Sequence, residues 1–267
     1  MVHFYKMQAL GNDFVALVDV IPSTEQICTL ADRHYGIGAD QVLCLSFTKE
    51  KPPSIIFFNA DGSQAEMCGN GLRCAGLLLQ RLTARSKHIL HTVTRSHTVE
   101  ILETQTVRVS MGAVTLLPSI APETLFGKTL AQDNMRSFVL DYGLVDVGNP
   151  HLVFFLRVSD VLAMAMRFGA LFETLEIFPK RTNVGFAHRP DTRISSITLA
   201  VWERGAGLTE ACGSGATAAA ALGHHLYALS WPICVRQKGG NLSIDMENGE
   251  YTQTGSAHFM FEGDISL

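Results

Sequence analysis

Two short stretches of the sequence share the pattern Glu-x-Cys-Gly-x-Gly. They are EMCGNG at residues 66–71 and EACGSG at residues 210–215. Each leads into a run rich in Leu or Ala, which are strong helix formers, so each cysteine is predicted to lie at a helix N-terminus. Unpaired backbone N–H groups and the helix dipole stabilise negative charge at that end. We therefore expect the pKa of both Cys68 and Cys212 to be lowered.

Two cysteines placed in this way suit inversion at a carbon atom. If they lie on opposite sides of a bound molecule, one thiolate removes a proton from one face and the opposing thiol delivers a proton to the other. The two helix N-termini stabilise the charge that builds on an adjacent carboxylate. This scheme requires no metal ion and no organic cofactor.

Other readings of the cysteines are weaker. Cys68 and Cys74 are too far apart for a Cys-x-x-Cys zinc or redox pair, and no matching histidine pair accompanies them. The stretch GNGLRCAG does not match the dinucleotide-binding pattern Gly-x-Gly-x-x-Gly. Taken alone, either motif is best interpreted as a tight glycine turn whose cysteine only fills space. The occurrence of the motif twice argues against this interpretation. A thiol–disulfide redox protein remains a runner-up, and a non-catalytic amino-acid-binding module a remoter one.

The cysteine motifs belong to a longer internal repeat. LGNDFV, GIGAD and EMCGNG follow one another in the first half, and VGNPHLV, NVGFA and EACGSG in the second. This order indicates duplication of a unit of roughly 110–130 residues, a usual domain size. We predict an N-terminal domain of residues 1–113 plus 256–267 and a C-terminal domain of residues 114–255. The segment 111–129 is the predicted crossover.

Strand patterns outnumber helix patterns and do not alternate with them regularly, which predicts an α+β fold. The final strand is expected to return and pair with the first domain. Helices are predicted at residues 23–35, with Ser23 as N-cap and Gln26 completing a capping box, at residues 160–175, and after each cysteine motif. The predicted strands cover residues 3–8, 13–20, 54–60, 106–111, 151–158, 196–203 and 259–265.

Composition narrows the class of protein. The 267 residues are 47% hydrophobic and 17% charged, which is ordinary for a globular protein. A formal net charge of −4 and a pI near 6.2 leave no basic surplus for a nucleic-acid partner. We find no apolar run of membrane-spanning length and no signal peptide. A cytoplasmic location is therefore expected, with the six cysteines as thiols.

The motifs jointly resemble the diaminopimelate epimerase family of cofactor-independent, two-cysteine amino-acid racemases. The resemblance implies two pseudo-symmetric domains, each a curled, mostly antiparallel sheet around a central helix. It also implies interconversion of LL- and meso-diaminopimelate, in the pathway to lysine and peptidoglycan, by a homodimer without a cofactor. The matching segments are KMQALGNDFV, ADRHYGIGADQV, FFNADGSQAEMCGNGLRCAG, VGNPHLVFF, RTNVGFA and WERGAGLTEACGSGATA.

The same resemblance assigns roles to individual residues. Cys68 and Cys212 correspond to the paired acid and base, and His151 takes a secondary role near them. Arg204 suits a bidentate contact with a carboxylate, Glu203 supplies compensating charge, and amides both donate and accept. The helix-terminal cradles for the reacting carboxylate would be Gly69, Asn70, Gly213 and Ser214. The remaining substrate-binding set would be Asn12, Gln41, Asn59, Asn149, Asn183, Glu203 and Arg204.

Two positions depart from the family pattern. Ala9 stands where the family commonly has Gly, which alters an entry loop but removes no functional group. Leu208 replaces a familiar Glu, which affects packing or pKa near Cys212. Since racemases of the same fold act on other amino acids, a histidine- or proline-type racemase is the close alternative.

Overall fold

The computed structural model describes residues 1–48, 51–65, 67–127, 129, 134–189 and 194–267, apart from the side chain of residue 51. Glu66 of the first cysteine motif and residue 128 of the predicted crossover lie outside the described residues. Contacts group the chain into two compact units. Unit 1 is Met1–Ser110 with Thr254–Leu267, and unit 2 is Met111–Gln253. The domain division at 113/114 and 255/256 stays a prediction.

Unit 1 is built mainly of strands, with two helices among its described elements. Strand β17 (Glu250–Ser256) spans the boundary between the units, and β8 also runs slightly past it. The elements of unit 1 are β1 Val2–Ala9, β2 Asn12–Val18, α1 Thr24–Ala31, β3 Gln41–Thr48, β4 Lys51–Asn59, β5 Gln64–Ala65, α2 Gly69–Thr83, β6 Lys87–His91, β7 Ser96–Glu103, β8 Thr106–Gly112 and β18 His258–Ile265.

Unit 2 contains a second set of strands with its own long helices. The predicted crossover, residues 111–129, holds the end of β8, a two-residue strand and a single helical turn. The elements of unit 2 are β9 Thr115–Leu116, α3 Pro122–Leu125, β10 Val139–Asp146, β11 Pro150–Leu156, α4 Val161–Glu173, β12 Asn183–His188, β13 Ser196–Glu203, β14 Gly207–Leu208, α5 Gly213–Tyr227, β15 Ile233–Gln237 and β16 Gly240–Glu247.

The two units have the same internal topology. In unit 1, β1 is antiparallel to β2, β2 is parallel to β3 across α1, and β3 is antiparallel to β4. Strand β4 is then parallel to β6 across α2, and β6 is antiparallel to β7. In unit 2, β10, β11, β12, β13, β15 and β16 repeat this order and these directions, with α4 and α5 as the crossings. The predicted duplication and α+β class are confirmed.

In each unit the sheet curls around one helix. Helix α2 contacts β1, β2, β3, β6, β7 and β18, and every residue from Gly69 to Leu79 is buried. Helix α5 contacts the strands β10–β13, β15 and β16, and it is buried along nearly the same length. A helix that is covered on all sides must be small or apolar all round, which explains the Leu-rich and Ala-rich runs after the cysteines.

Strand β3 lies outside the predicted strands because both of its faces are buried. Leu43 and Leu45 face the cluster around α2, whereas Val42 and Cys44 face the cluster around α1. A strand covered on both sides is a continuous apolar run without alternation. Its sequence therefore carries no period-two signal.

The ends of the predicted elements were partly right. The capping box of Ser23 and Gln26 is present at the start of α1, but the helix ends at Ala31 and not near Tyr35. The final strand, β18, pairs with β1 along its length, from Val2 with Ile265 to Gln8 with His258, as expected. Among the described residues, no helix is long and apolar enough to cross a membrane.

Candidate active site

Cys68 is the N-cap of helix α2, at the end of the helix where backbone N–H groups point outward. Its Sγ accepts a hydrogen bond from the backbone N–H of Gly71 at 3.4 Å. The residue is half-buried. The predicted placement of this sulfur at a helix N-terminus is therefore confirmed, and the helix dipole acts on it.

Three amides of unit 1 lie at the edge of the sheet beside this helix end. Asn12 begins β2 and its Nδ2 lies 3.9 Å from the Sγ of Cys68. Gln41 begins β3 opposite Asn59, the last residue of β4, and Gln41 Nε2 donates to Asn59 Oδ1 at 3.0 Å. Asn12 Oδ1 and Gln41 Oε1 are buried without a hydrogen-bond partner among the described residues. Two such acceptors suit an ammonium group.

Arg73, one turn further along α2, is a site residue that sequence reasoning missed. It is fully buried, and its Nη2 donates to Asn70 Oδ1 at 2.6 Å while its Nε donates to the carbonyl of Ser256 at 3.3 Å. This contact engages the oxygen of the Asn70 amide. Burial lowers the pKa of Arg73 to about 10, so the side chain remains a cation at neutral pH. The signal in the sequence was the i, i+3 spacing of Asn70 and Arg73.

Cys212 is the N-cap of helix α5 in unit 2. Its Sγ accepts from the backbone N–H of Gly215 at 3.4 Å and lies 3.5 Å from the Oγ of Ser214. Its own backbone N–H donates to Gln237 Oε1 at 2.8 Å, a contact that no motif predicts. The side chain is deeper than that of Cys68, with only 4% of the residue exposed.

The expectation of a lowered pKa is wrong for Cys212. Burial raises the pKa of this thiol well above its usual value, and the charge of Glu203 raises it further. The hydrogen bonds from Ser214 and Gly215 act in the opposite direction and are outweighed. A helix N-terminus favours the thiolate, but removing the sulfur from water disfavours it more. Cys212 is therefore a thiol at neutral pH and suits proton donation.

His151 is neutral and contacts the side-chain amide of Asn149. Burial, with a smaller contribution from the charge of Arg204, lowers its pKa to about 3. Its Nε2 lies 3.0 Å from Asn149 Oδ1, and since that oxygen only accepts, Nε2 carries the proton. The contact leaves the nitrogen of the Asn149 amide as the donor end. A group that stays neutral cannot change the charge around the cysteines near neutral pH.

Asn183, Glu203 and Arg204 lie together where β12 begins and β13 ends. Asn183 Oδ1 accepts from the backbone N–H of Arg204 at 3.0 Å, and its Nδ2 donates to the carbonyl of Pro150 at 3.0 Å. Glu203 Oε1 accepts from the Oγ1 of Thr209 at 2.6 Å. Both ends of the Asn183 amide thus act within the protein, so this side chain holds the chain of Arg204 in place.

The glycines at the helix starts are required by close approach. A Cβ atom at Gly213 would lie 2.6 Å from Oε1 of Gln253, and one at Gly215 would lie 2.7 Å from Cγ2 of Val201. A Cβ at Gly71 in unit 1 would lie 2.6 Å from Cε1 of Phe57. The glycines therefore let each helix start lie directly against its sheet.

The two departures from the family pattern are both in packed positions. Ala9 is fully buried and pairs with Asn12 across the β1–β2 turn. Leu208 pairs with Trp202 and packs against the apolar cluster of unit 2. Among the described side chains, no group of three or more His, Cys, Asp or Glu residues is arranged to hold a metal ion.

Comparison with known proteins identifies relatives along the whole chain. The family model described as diaminopimelate epimerase matches residues 4–117 and 143–260. A diaminopimelate epimerase from Alkalilimnicola ehrlichii is 39% identical over 281 aligned positions, which cover 100% of this chain and 99% of that protein.

Solved structures with low sequence identity share the fold. A predicted epimerase from Pseudomonas aeruginosa superposes with a TM-score of 0.75 at 13% identity, covering 100% of both chains. A probable proline racemase from Agrobacterium radiobacter, solved with bound carbonate, gives a TM-score of 0.73 at 13% identity and covers 100% of this chain and 93% of its own. The duplicated topology, the two helix-capping cysteines and the full-length match agree: this chain belongs to the diaminopimelate epimerase family.

Proposed function

We propose that this protein interconverts LL- and meso-2,6-diaminopimelate by moving a proton at one α-carbon, on the route to lysine and peptidoglycan precursors. One observation carries the proposal. Cys68 and Cys212 cap equivalent helices in two units of the same topology, within a chain that matches the family over its whole length. The family resemblance and the helix-end chemistry of the two sulfurs point to the same reaction.

In the proposed mechanism the two sulfurs act on opposite faces of one carbon. Cys68, as the thiolate, takes the α-proton, and the electron pair of the broken C–H bond moves into the adjacent carboxylate. Cys212, whose buried thiol holds its proton, delivers that proton to the other face. The reaction leaves Cys68 protonated and Cys212 as the thiolate, which is the form that accepts the product isomer in the reverse direction.

The helix N-termini stabilise the charge that builds during this transfer. The reacting carboxylate lies against the starts of α2 and α5 in this proposal, where Gly69, Asn70, Gly213 and Ser214 supply donors. Backbone N–H groups aimed at a developing anion lower the barrier most when water is excluded. The buried contact from Arg73 to Asn70 and the close packing at Gly213 support fixed donors at both helix starts.

The second amino-acid end of the substrate needs both an acceptor and a donor. We assign the carboxylate of that end to Arg204, which suits a bidentate contact, and the ammonium group to Glu203. Asn12, Gln41, Asn59 and Asn149 complete the set, and Asn183 belongs to it through its contact with the backbone of Arg204. The buried oxygens of Asn12 and Gln41 are suitable acceptors for an ammonium group.

Three further properties belong to the proposal. We assign the domain boundaries to 113/114 and 255/256, a homodimeric assembly on the basis of the family resemblance, and a cytoplasmic location because catalysis requires reduced cysteines. Sedimentation velocity measured over a range of protein concentrations tests the dimer. A single species with the mass of one chain would rule it out.

Exchange of the α-hydrogen in heavy water tests the reaction. We expect LL-diaminopimelate to gain one deuterium at an α-carbon and to yield the meso isomer without an added cofactor, followed by mass spectrometry and chiral chromatography. A panel containing histidine and proline distinguishes the alternative substrates. Exchange with one of these and not with diaminopimelate would assign the protein to another racemase activity, and no exchange with any would reject the reaction class.

A further inference from the structure

Glu173, the last residue of helix α4, lies beside the predicted substrate-binding pair Glu203 and Arg204. Its carboxylate is buried, with 6% of the residue exposed. Oε2 accepts from the indole Nε1 of Trp202 at 2.8 Å, and Oε1 accepts from the backbone N–H of Gly205 at 2.9 Å. Trp202 and Gly205 are the residues directly before and directly after the pair. One carboxylate therefore fixes both flanks of the substrate-binding pair.

The same residue also fixes the start of the neighbouring strand. The backbone carbonyl of Glu173 accepts from the N–H of Thr182, the residue before Asn183, at 3.3 Å. Asn183 in turn accepts from the backbone N–H of Arg204 through its Oδ1. The backbone of Arg204 is thus held from the Asn183 side, while its neighbours are held by the carboxylate of Glu173.

The indole ring of Trp202 packs closely against helix α4. Gly169 lies one turn before Glu173 on the same face of the helix. A Cβ atom at Gly169 would lie 2.5 Å from ring atoms of Trp202, so the indole rests directly on the helix backbone. The ring is placed by Gly169 and its N–H is directed by Glu173. An i, i+4 pair on α4 therefore contacts Trp202 at both its ring and its N–H.

The carboxylate remains ionised in this buried place. Burial acts to raise the pKa of Glu173, but its hydrogen bonds from Gly205 and Trp202 and the nearby charge of Arg181 outweigh it and lower the pKa. Arg181 reaches Oε1 at 3.4 Å and its side chain is 58% exposed. Hydrogen bonds to an ionised acceptor are stronger and more directional than those between neutral groups.

We propose that Glu173 is a positioning residue for substrate recognition, holding the Glu203–Arg204 pair in the geometry that binds the distal amino-acid end of the substrate. It touches no substrate itself and acts through Trp202 and Gly205. The inference rests on the proposed function, because it concerns the same site and the same two-ended substrate.

Replacement of Glu173 by Gln tests this role with little change in shape. The glutamine keeps one acceptor oxygen and places an amide nitrogen against a donor, so one flank of the pair loses its anchor. We expect KM for diaminopimelate to rise by about tenfold or more, since a hydrogen bond to a charged group is lost. The value of kcat should change less than KM, because both sulfurs and both helix starts keep their own contacts and only the position of Glu203 relative to Cys212 shifts.

Arg181→Gln is the matched control. It removes the exposed partner of the same carboxylate and leaves the contacts to Trp202 and Gly205 intact. We expect its KM to stay within about twofold of the parent value, since exposed ion pairs contribute little. A KM rise of similar size in both variants would show that loss of the Glu173–Arg181 ion pair, and not loss of the contacts to Trp202 and Gly205, is responsible.

Two further variants keep Glu173 and disturb its anchor. Trp202→Phe removes the indole N–H and retains an aromatic ring. Gly169→Ala displaces the indole ring of Trp202 from the backbone of α4. Both should raise KM more than kcat falls. Combining Trp202→Phe with Glu173→Gln should raise KM less than the product of the single effects, because both substitutions break the same contact.

The outcomes separate this inference from the proposed function. Thermal unfolding of each variant shows whether it folds, and a folded Glu173→Gln protein with unchanged KM would overturn the inference. So would a variant whose kcat falls while KM is unchanged, since the effect would then pass through the cysteines. Failure of the proposed function appears differently, as a parent protein that does not act on diaminopimelate.

Discussion

The two units share a backbone plan but differ in the side chains placed on it. Asn12 begins β2 and Asn149 directly precedes β11, the equivalent strand, and Cys68 and Cys212 cap equivalent helices. Other equivalent positions differ in charge. Asn59 ends β4 in unit 1, whereas Glu203 ends β13 in unit 2. The acidic side chain belongs to the unit whose cysteine is the more deeply buried.

The two units also differ at equivalent positions that are fully buried. Phe14 and His151 are equivalent by register, since each lies opposite the first residue of the next parallel strand, and both are fully buried. Arg73, five residues after Cys68, is a buried cation, whereas the matching position after Cys212 is Thr217. Unit 1 therefore places positive charge near its sulfur and unit 2 places negative charge near its own. Duplication of the backbone sets where the cysteines lie, and divergence of the side chains makes them unequal.

Loss of either sulfur tests whether the unequal cysteines are both required. We expect Cys68→Ser and Cys212→Ser each to reduce the rate of epimerisation by about 10²–10⁴-fold, because a hydroxyl is a poor proton acceptor and donor at these positions. The double variant should be no more than a few-fold worse than the poorer single variant, since the two groups act as one unit. Chiral chromatography of the product measures the rate.

Cys234→Ser is the matched control for the cysteine variants. It changes a cysteine on β15 that takes no part in the proposed mechanism, and it should retain nearly full activity. If either single variant at a motif cysteine also retained full activity, the two-thiol mechanism would be wrong.

The stability of the protein at low pH should depend on His151, the buried residue of unit 2 that is equivalent to Phe14 of unit 1. The pKa of His151 is lowered from 6.5 to about 3 in the folded protein, so below pH 6.5 the unfolded chain binds a proton that the folded one does not. The free energy of unfolding should then fall by up to about 1.4 kcal/mol per pH unit between pH 6 and pH 3 through this group. Urea unfolding at several pH values measures the slope.

His151→Gln should flatten this pH dependence and keep a donor for Asn149. His225→Gln, at an exposed position on α5, is the comparison and should leave the slope unchanged. Equal slopes for the parent and the His151 variant would mean that the buried ring is not held neutral.

The third residue of α2 and the third residue of α5 are both glycines that lie in close contact with the sheet, and replacing them tests this shared feature of the two units. An added methyl would meet Phe57 at Gly71 and both Val201 and the Sγ of Cys212 at Gly215. We expect alanine at either glycine to lower the free energy of unfolding by about 1–3 kcal/mol through overpacking. Adding Val201→Ala should recover part of the loss in the Gly215 variant, as measured by urea unfolding. No loss at either glycine would show that the helix starts can shift away from the sheet.

The carboxylate beside Cys212 should account for the smallest of these effects. Glu203→Gln removes the second cause of the raised pKa of Cys212 and leaves burial, so the pKa should fall but remain above its usual value. At a fixed pH near 8 we expect a small methylthiolating reagent to modify Cys212 roughly threefold to tenfold faster, followed by peptide mass spectrometry. Glu210→Gln, which changes an exposed carboxylate paired with Lys238, should leave the rate unaltered. A slower reaction in the Glu203 variant would contradict the assignment.

Much of this fold could be predicted from the sequence because short local patterns specify it. The repeated cysteine motifs, the capping box at Ser23 and the alternating final strand each depend on neighbours in sequence. Strand β3 was not readable, since burial on both faces removes the alternation that marks a strand. The site divides in the same way: the cysteines and amides follow from motifs.

The missed residues depend on contacts distant in sequence. Arg73 matters because Asn70 and the carbonyl of Ser256 meet it, and Glu173 because Trp202 and Gly205 do. The raised pKa of Cys212 could not be predicted from its helix position, because the depth of burial is set by the whole unit.

The return of β18 to β1 has a consequence for biosynthesis. Unit 2 is one continuous segment, Met111–Gln253, and all of it leaves the ribosome before the last strand of unit 1 does. Until β18 is made, β1 is an edge strand whose outer backbone groups lack their partner strand. An open edge can pair with another chain. Unit 1 is therefore begun first and completed last. Until β18 is made, the exposed edge of β1 near the N-terminus is the part of the nascent chain that is prone to aggregation.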